Sequence, residues 1–348
     1  MRDVVPKPIF LSDTLALKDP IFLAPMSGIT DMPFRSHMKN YGAGVVVSEL
    51  ISADGIHFGG QKTRDLLRFN DKVERPFGLQ LFGSETERFV EAAKVVEELG
   101  VDFVDLNLGC PVNKVVKRGA GSALLKSPIE LGKLLEEISG AIQIPLTIKI
   151  RTGWDDSSVN ASEIAHIAYE SGVKLVSIHG RTRAQSYSGL ANWDLIGEVA
   201  SKAKLPIIGN GDLVTAESAI QKLKTYPISG VMIGRGALKN PFIFQEIKVL
   251  QRGGALEEIN RPYATFLIEL LERLQSAYSP KRDRFVLILM KKYISWYSAG
   301  FPNGAHLRRN LFEIPTLDEI MKRALDFFET VNWQERKDLS QFLMGGHG

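Results

Sequence analysis

Apolar and polar positions fall into two regimes along the chain. Up to Gln251, short runs rich in aliphatic and β-branched residues recur: IFLAPM (21–26), VVVSEL (45–50), FGLQLF (77–82), FVDLNL (103–108), LTIKIR (146–151), LVSIHG (175–180), PIIGNG (206–211) and GVMIGR (230–235). Such runs predict buried strands. Between them lie segments with apolar residues at helical spacing, such as Ser84–Leu99 and Ser127–Ile138, with Ser84 and Ser127 in the N-cap position. Strands alternating with helices predict a parallel sheet, and eight such units fit a closed (β/α)8 TIM barrel, an α/β fold, over residues 1–252. No GxGxxG follows the first strand, which argues against a doubly wound dinucleotide fold. The stretch after the second strand, SADGIHFGGQKTRDLLRFNDKVERP, reads as more loop than helix.

From Gly253 the β-rich runs stop. Helical patterning covers Tyr263–Tyr278, Arg284–Tyr297, Leu317–Thr330 and Gln334–Met344, which predicts a smaller C-terminal α-helical domain over 253–348 after a QRGG hinge at 251–254. Charge within it is uneven. Between Lys281 and Arg309 stand seven basic residues and one acid, Asp283, or 7 − 1 = +6, interleaved with Tyr293, Trp296 and Tyr297. A solvated helix face and a nucleic-acid surface both fit that pattern.

Composition narrows the function classes. The 348 residues are 44% hydrophobic and carry a formal net charge of +3. Cys110 is the only cysteine, so no internal disulfide can form and a reducing compartment fits. No run reaches the roughly 20 apolar residues that span a bilayer, and acids interrupt the N-terminal stretch. The expectation is a cytoplasmic protein, monomeric by default, with no membrane partner. No CxxC or HExxH spacing suggests a metal site, and His37, His57, His166 and His306 read as surface or packing residues.

In a (β/α)8 barrel the chemistry sits at the C-terminal ends of the strands. Those ends carry a polar residue in succession: Gln80, Asn107, Lys149, His179 and Asn210. One of them would be an ordinary satisfied core group; five at one level predict a shared pocket. Lys149, between Ile148 and Ile150, must lose water, a cost of several kcal/mol unless it meets an anion. Either a distant carboxylate such as Asp105 or Glu49 or an electron-rich ligand edge would serve. GNGD (209–212) and IGRGAL (233–238) put glycine-rich turns after strands seven and eight, where barrels commonly hold phosphate, with Arg235 adding charge.

LAPMSGITDMPFR (23–35), LQLFG (79–83), LNLGCPVNKVVKRGAGSALLKSP (106–128), IKIRTGW (148–154), IHGRTRAQSYSG (178–189), IIGNGD (207–212) and MIGRGAL (232–238) resemble the tRNA-dihydrouridine synthases. KKYISWYSAGFPNGAHLRR (291–309) is similar to the helical domain of their bacterial B type. The resemblance implies an FMN enzyme that uses NADPH to reduce the C5=C6 bond of particular uridines in tRNA, for the B type at position 17 of the D-loop. By position, Met26, Ser27, Gly28 and Gln80 would contact the flavin, Lys149 its N1/O2 side, and His179 the ring or phosphate. Asn210, Gly211, Asp212, Gly234 and Arg235 would hold the phosphate. Cys110 would be the proton donor. Asn107 with Arg181 or Arg183 would hold the uracil, and Lys291, Lys292, Arg308 and Arg309 would meet the RNA. Ser27 stands where alanine is commoner in the family.

The resemblance assigns hydride from the flavin to uracil C6 and a proton from Cys110 to C5. A thiol with an ordinary value near 8.5 is mostly protonated at neutral pH and can act as an acid. The residues alone leave open a thiolate nucleophile, with Lys114, Lys117 and Arg118 nearby, or an inert buried thiol. Two other functions share parts of the pattern: an FMN barrel reductase of a small pyrimidine, resembling dihydroorotate dehydrogenases, and a non-catalytic tRNA-binding protein.

Overall fold

The computed structural model describes residues 5–337. A short antiparallel hairpin, β1 (Ile9–Phe10) and β2 (Ala16–Leu17), precedes the barrel. The barrel strands are β3 (Ile21–Leu23), β4 (Val45–Val47), β6 (Phe77–Phe82), β7 (Phe103–Leu108), β8 (Leu146–Arg151), β9 (Leu175–His179), β10 (Ile207–Asn210) and β11 (Gly230–Ile233). All pair in parallel, and β11–β3 and β4–β6 pairings close the ring, so each predicted run has its strand. The second run is interrupted: β4 stops at Val47, and a separate β5 (Ile51–Ser52) pairs in parallel with the C-terminal end of β6.

Alternation along the strands sorts the barrel interior into layers. Phe22, Val45, Val47, Phe103, Leu175, Ile208 and Met232 form an apolar lower layer, capped by Ile9, Leu11 and Leu17 of the hairpin. Nothing in the sequence pattern predicts this plug. Gly78 makes room for it, since a Cβ there would lie 2.1 Å from the Phe103 ring. Above this floor the same inward positions turn polar: Gln80, Asp105, Asn107, Thr147, Lys149, Ser177, His179 and Asn210. A filled floor under a polar rim leaves the C-terminal end of the barrel as the place for a site.

Outward strand positions pack beneath the helices α1 (Met32–Asn40), α4 (Thr86–Glu98), α6 (Pro128–Ala141), α7 (Ala161–Glu170), α8 (Trp193–Lys202) and α9 (Ala216–Thr225). The irregular segment after β5 is more helical than expected, forming α2 (Ala53–His57) and α3 (Gln61–Leu66). A four-residue helix, α5 (Asn113–Val116), follows β7, and α10 (Arg235–Lys239) and α11 (Ile243–Gln251) follow β11. One of the two expected caps differs. Glu85, not Ser84, is the N-cap of α4, and Ser127 caps α6 without a side-chain hydrogen bond.

Helices α12 (Tyr263–Tyr278), α13 (Asp283–Tyr297), α14 (Gly304–Arg309) and α15 (Leu317–Phe328) make up the C-terminal segment. The expected helix at 334–344 falls largely outside the described residues; within them lies a 3-10 turn, Trp333–Glu335. The expected boundary at 252/253 falls just past α11, but one hydrophobic cluster runs from the barrel's outer layer into these helices. An aromatic seam joins them. Phe34 of α1 stacks on Tyr293 at 5.3 Å, and His37 lies 4.2 Å from Phe266, its Nε2 hydrogen-bonded to the Phe266 carbonyl at 3.0 Å. The Tyr278 hydroxyl donates to Asp31 at 2.8 Å.

Candidate active site

A cavity of about 360 Å³ opens at the C-terminal rim, within the range of small-molecule sites. Met26, Asn107, Cys110, Lys149, His179, Asn210 and Arg235 all line it, so four of the five expected strand-end residues converge there. Gln80 is the exception. It is fully buried beneath the rim, and its amide is spent inside the protein. Its Nε2 donates to Asp105 at 2.6 Å, and its Oε1 accepts from Asn107 Nδ2 at 2.9 Å. Gly28 also lies off this cavity, its N–H donating to the Glu49 carboxylate.

The polar ladder across β6, β7 and β8 explains how Cys110 is held. Thr147 donates to Asp105 at 2.6 Å, Asp105 accepts from Gln80, and Gln80 orients Asn107. Asn107 Oδ1 then accepts the backbone N–H of Cys110 at 2.8 Å and of Gly109 at 3.3 Å. The Cys110 carbonyl accepts from Ser122 N and Oγ at 3.2 and 2.8 Å. Gly121, at φ +62°, permits that approach, because a Cβ there would lie 2.9 Å from the Cys110 carbonyl oxygen. The Cys110 backbone is thus fixed on both sides, while the residue lines the cavity. Burial pushes the thiol up from its ordinary value, against a smaller opposing pull from the Val112 backbone, Arg151 and Lys149. It stays protonated at neutral pH.

Lys149 donates to Asn210 Oδ1 at 3.2 Å. Of the partners considered from sequence, Asp105 is hydrogen-bonded to Thr147 and Gln80 and acts on Lys149 through its field, favouring the charged ammonium. Burial, with Arg151 adding repulsion, lowers Lys149 to about 8. Arg151 is the site residue that sequence reasoning missed. It is buried, lines the cavity, and donates to the carbonyls of Gly109 at 2.8 Å, Thr182 at 2.9 Å and Ser186 at 2.7 Å. The signal was present, since Thr147, Lys149 and Arg151 share one face of β8 by the period of two.

Arg181 and Arg183 do not line the cavity. Arg181 is buried and donates to both Asp212 oxygens at 2.8 Å. Arg183 lies over Trp154 at 4.6 Å, with Lys126 on the same ring at 4.7 Å, and bonds Asn113 at 2.8 Å. It fastens the segment after Cys110. Asp212, at φ +54°, also accepts from Ala191 N at 2.8 Å and lies 3.6 Å from Arg235. Tyr187 lines the same cavity between the guanidinium groups of Arg235 and Arg151, 4.9 and 5.6 Å from its ring. His179 is held well below its ordinary value by burial and by the surrounding cations, so it is neutral. Lys149, Arg151 and Arg235 against Asp212 give the cavity wall 3 − 1 = +2.

The cluster at 281–309 divides. Arg309 and Lys281 are exposed, and Arg308 and Lys292 are half-buried. Lys291 is buried and donates to the Phe312 carbonyl at 3.0 Å, so it braces α13 rather than facing solvent. Tyr293 and Tyr297 are likewise interior: Tyr293 stacks on Phe34, and Tyr297 packs edge-on to Phe266 at 5.3 Å. Two of the three aromatics interleaved with the basic residues thus belong to the helix's core stripe, and Trp296 is half-buried.

The solved structure of a histamine dehydrogenase from Rhizobium sp. 4-9 superposes with a TM-score of 0.54 at 14% identity, covering 78% of this chain and 51% of that one. A 2-naphthoyl-CoA reductase gives 0.55 at 14% identity, covering 73% and 53%. These likenesses bear on the barrel fold. In sequence, tRNA-dihydrouridine synthase B of Pseudomonas putida is 36% identical over 298 residues, 84% of this chain and 86% of the relative. A probable tRNA-dihydrouridine synthase of Rhodobacter capsulatus is 37% identical over 301 residues, covering 85% and 92%. The Dihydrouridine synthase (Dus) family matches residues 22–332, spanning the barrel, the cavity and the helical segment, and the chain belongs to that family.

Proposed function

We propose that this chain reduces the C5=C6 bond of uridine in tRNA to 5,6-dihydrouridine, with FMN held in the 360 Å³ cavity, NADPH as reductant and Cys110 as proton donor. Position 17 of the D-loop is the uridine that the B-type resemblance favours. The observation that carries the reading is a protonated, backbone-braced thiol in the wall of a cationic cavity whose buried lysine reaches into it beside Asn210. The +2 wall fits a dianionic phosphate and an anionic ring edge, and the glycine turns at Gly211 and Gly234 leave bare backbone where such a group would lie. When bound, FMN supplies the hydride that adds at C6.

The chain's own residues do the rest. Lys149 offsets negative charge on the cofactor ring, and Arg235, propped by Asp212, meets the phosphate with the Gly211 and Gly234 backbone. Arg151 and the remaining Asn107 N–H hold the base. Cys110 gives its proton to C5: the S–H bond breaks, a C5–H bond forms, and the thiolate is stabilised by Lys149 and Arg151 until solvent returns a proton. The thiol must carry its proton at the start, which burial secures.

Purified enzyme, NADPH and unmodified tRNA, with dihydrouridine counted by mass spectrometry, test the reading. Cys110→Ala should lose about 100-fold or more of the activity, the scale of a general acid, and retain flavin absorbance. Undiminished product from that variant would remove the acid role. Equal rates with free uridine and tRNA would favour the small-pyrimidine reductase instead.

A further inference from the structure

A second cavity of about 380 Å³ lies beside the first, and Ser27 and Leu50 belong to the walls of both. It occupies the seam between the barrel rim and the start of α13, with Asp31 and Glu49 on one side and Tyr278, Arg282 and Phe285 on the other. Its charge differs from that of its neighbour. Asp31, Glu49 and Asp65 stand against Arg35, Arg68 and Arg282, so the wall sums to 3 − 3 = 0. Many of these groups are engaged with the protein. Asp31 accepts from Tyr278, Asp65 from Arg282 at 2.6 Å, and Arg35 donates to Glu74 at 2.8 Å. Leu50, Leu66 and Met32 add apolar wall, with Phe285, 39% exposed, set edge-on to Tyr278 at 5.2 Å.

A pocket whose acids balance its arginines, with an aromatic edge, suits a phosphate less well than the +2 wall beside it. It suits a flat, neutral, partly polar group arriving at the same moment as the first cavity's substrate. We propose that the second cavity is a nucleobase subsite, which takes a base of the RNA strand next to the uridine that enters the first cavity. This rests on the function proposed above. A uridine swung out of folded RNA leaves its neighbours unstacked, and a base taken up by Phe285 and Leu66 regains an apolar partner at the step where the strand is most distorted. The dinucleotide reductant, with its several phosphates, is the competing occupant that the charge balance disfavours.

The test pairs a filled pocket with a missing base. Ala277 lines this cavity and not the first. Ala277→Trp should raise the KM for tRNA about tenfold, the scale of one base–aromatic stacking interaction, and leave NADPH oxidation with oxygen as acceptor unchanged. Phe285→Ala, a milder change, should move in the same direction. Unmodified tRNA with an abasic nucleotide immediately 5′ or immediately 3′ of the target should show the same loss with wild-type enzyme. On one of those two RNAs neither variant should lose anything further, because the protein change and the RNA change remove the same interaction. Losses that multiply on both RNAs, a KM for tRNA unchanged in both variants, or a shift confined to the KM for NADPH would each overturn the subsite. Binding of the same RNAs to Cys110→Ala enzyme reads the pocket without catalysis, so a wild-type enzyme that binds tRNA but forms no dihydrouridine would count against the function and not the subsite.

Discussion

Desolvation and nearby cations pull the Cys110 thiol in opposite directions, and desolvation is the larger. A thiol used as an acid should then alkylate slowly. With iodoacetamide, the rate on native enzyme should lie below that of a free cysteine peptide at pH 7 and rise about tenfold per pH unit to pH 9, as the thiolate fraction does below the pKa. A rate already flat between pH 7 and 9, followed by intact mass, would mark a thiolate nucleophile. Lys149 gives a second pH signature. Its value of about 8 means that the ligand-free protein loses this proton as pH rises through 8. An anionic ligand raises the value again, so binding takes up a proton above pH 8. FMN affinity should be level below that point and weaken as pH rises beyond it. Lys149→Met should weaken FMN binding and flatten the pH dependence, read by fluorescence titration.

Elements hold these residues through interactions that span long sequence distances. The seam of α1 against α12 and α13 centres on Phe266, fully buried against His37, Tyr41, Phe242 and Tyr297. Phe266→Ala should cost about 3–5 kcal/mol, the range for truncating a buried phenylalanine, measured by urea unfolding. Because one cluster runs through barrel and helices, the variant should unfold with a lower midpoint rather than shed its C-terminal segment alone. What the sequence disclosed follows from the same physics. The apolar strand runs, the glycine turns and the polar residues at five strand exits were legible because they are local. The roles of Tyr187, Tyr293 and Lys291 were not, because each depends on a partner tens to hundreds of residues away. Tyr293 among basic residues looked like a stacking face, yet its spacing from Val286, Met290 and Tyr297 is also that of a core stripe. Composition near a residue says less than which face of its helix it occupies. The hairpin β1–β2 escaped notice for a different reason: strands of two residues leave no periodicity to count.

Across the whole molecule, a formal net charge of +3 would draw a polyanion only weakly. The structure concentrates positive charge instead, in the +2 wall of the first cavity and on the outward residues of α13 and α14. Splitting the basic cluster by exposure changes which substitutions are informative. Lys281, Arg284 and Arg309 are exposed and meet solvent, and neither cavity includes them. Replacing all three with alanine should leave thermal stability near wild type and weaken tRNA binding. A phosphate with no cation facing it keeps its counterion, so the slope of log affinity against log salt should become shallower by about 2–3. Lys291→Ala should behave in the opposite way. Its ammonium caps the part-buried Phe312 carbonyl, so stability should fall by about 1 kcal/mol, the scale of one lost hydrogen bond, while the salt slope of the folded protein stays as it was. An unchanged slope in the triple variant would show that the exposed basic residues are a solvated face and that the RNA is held elsewhere, at the rim of the barrel.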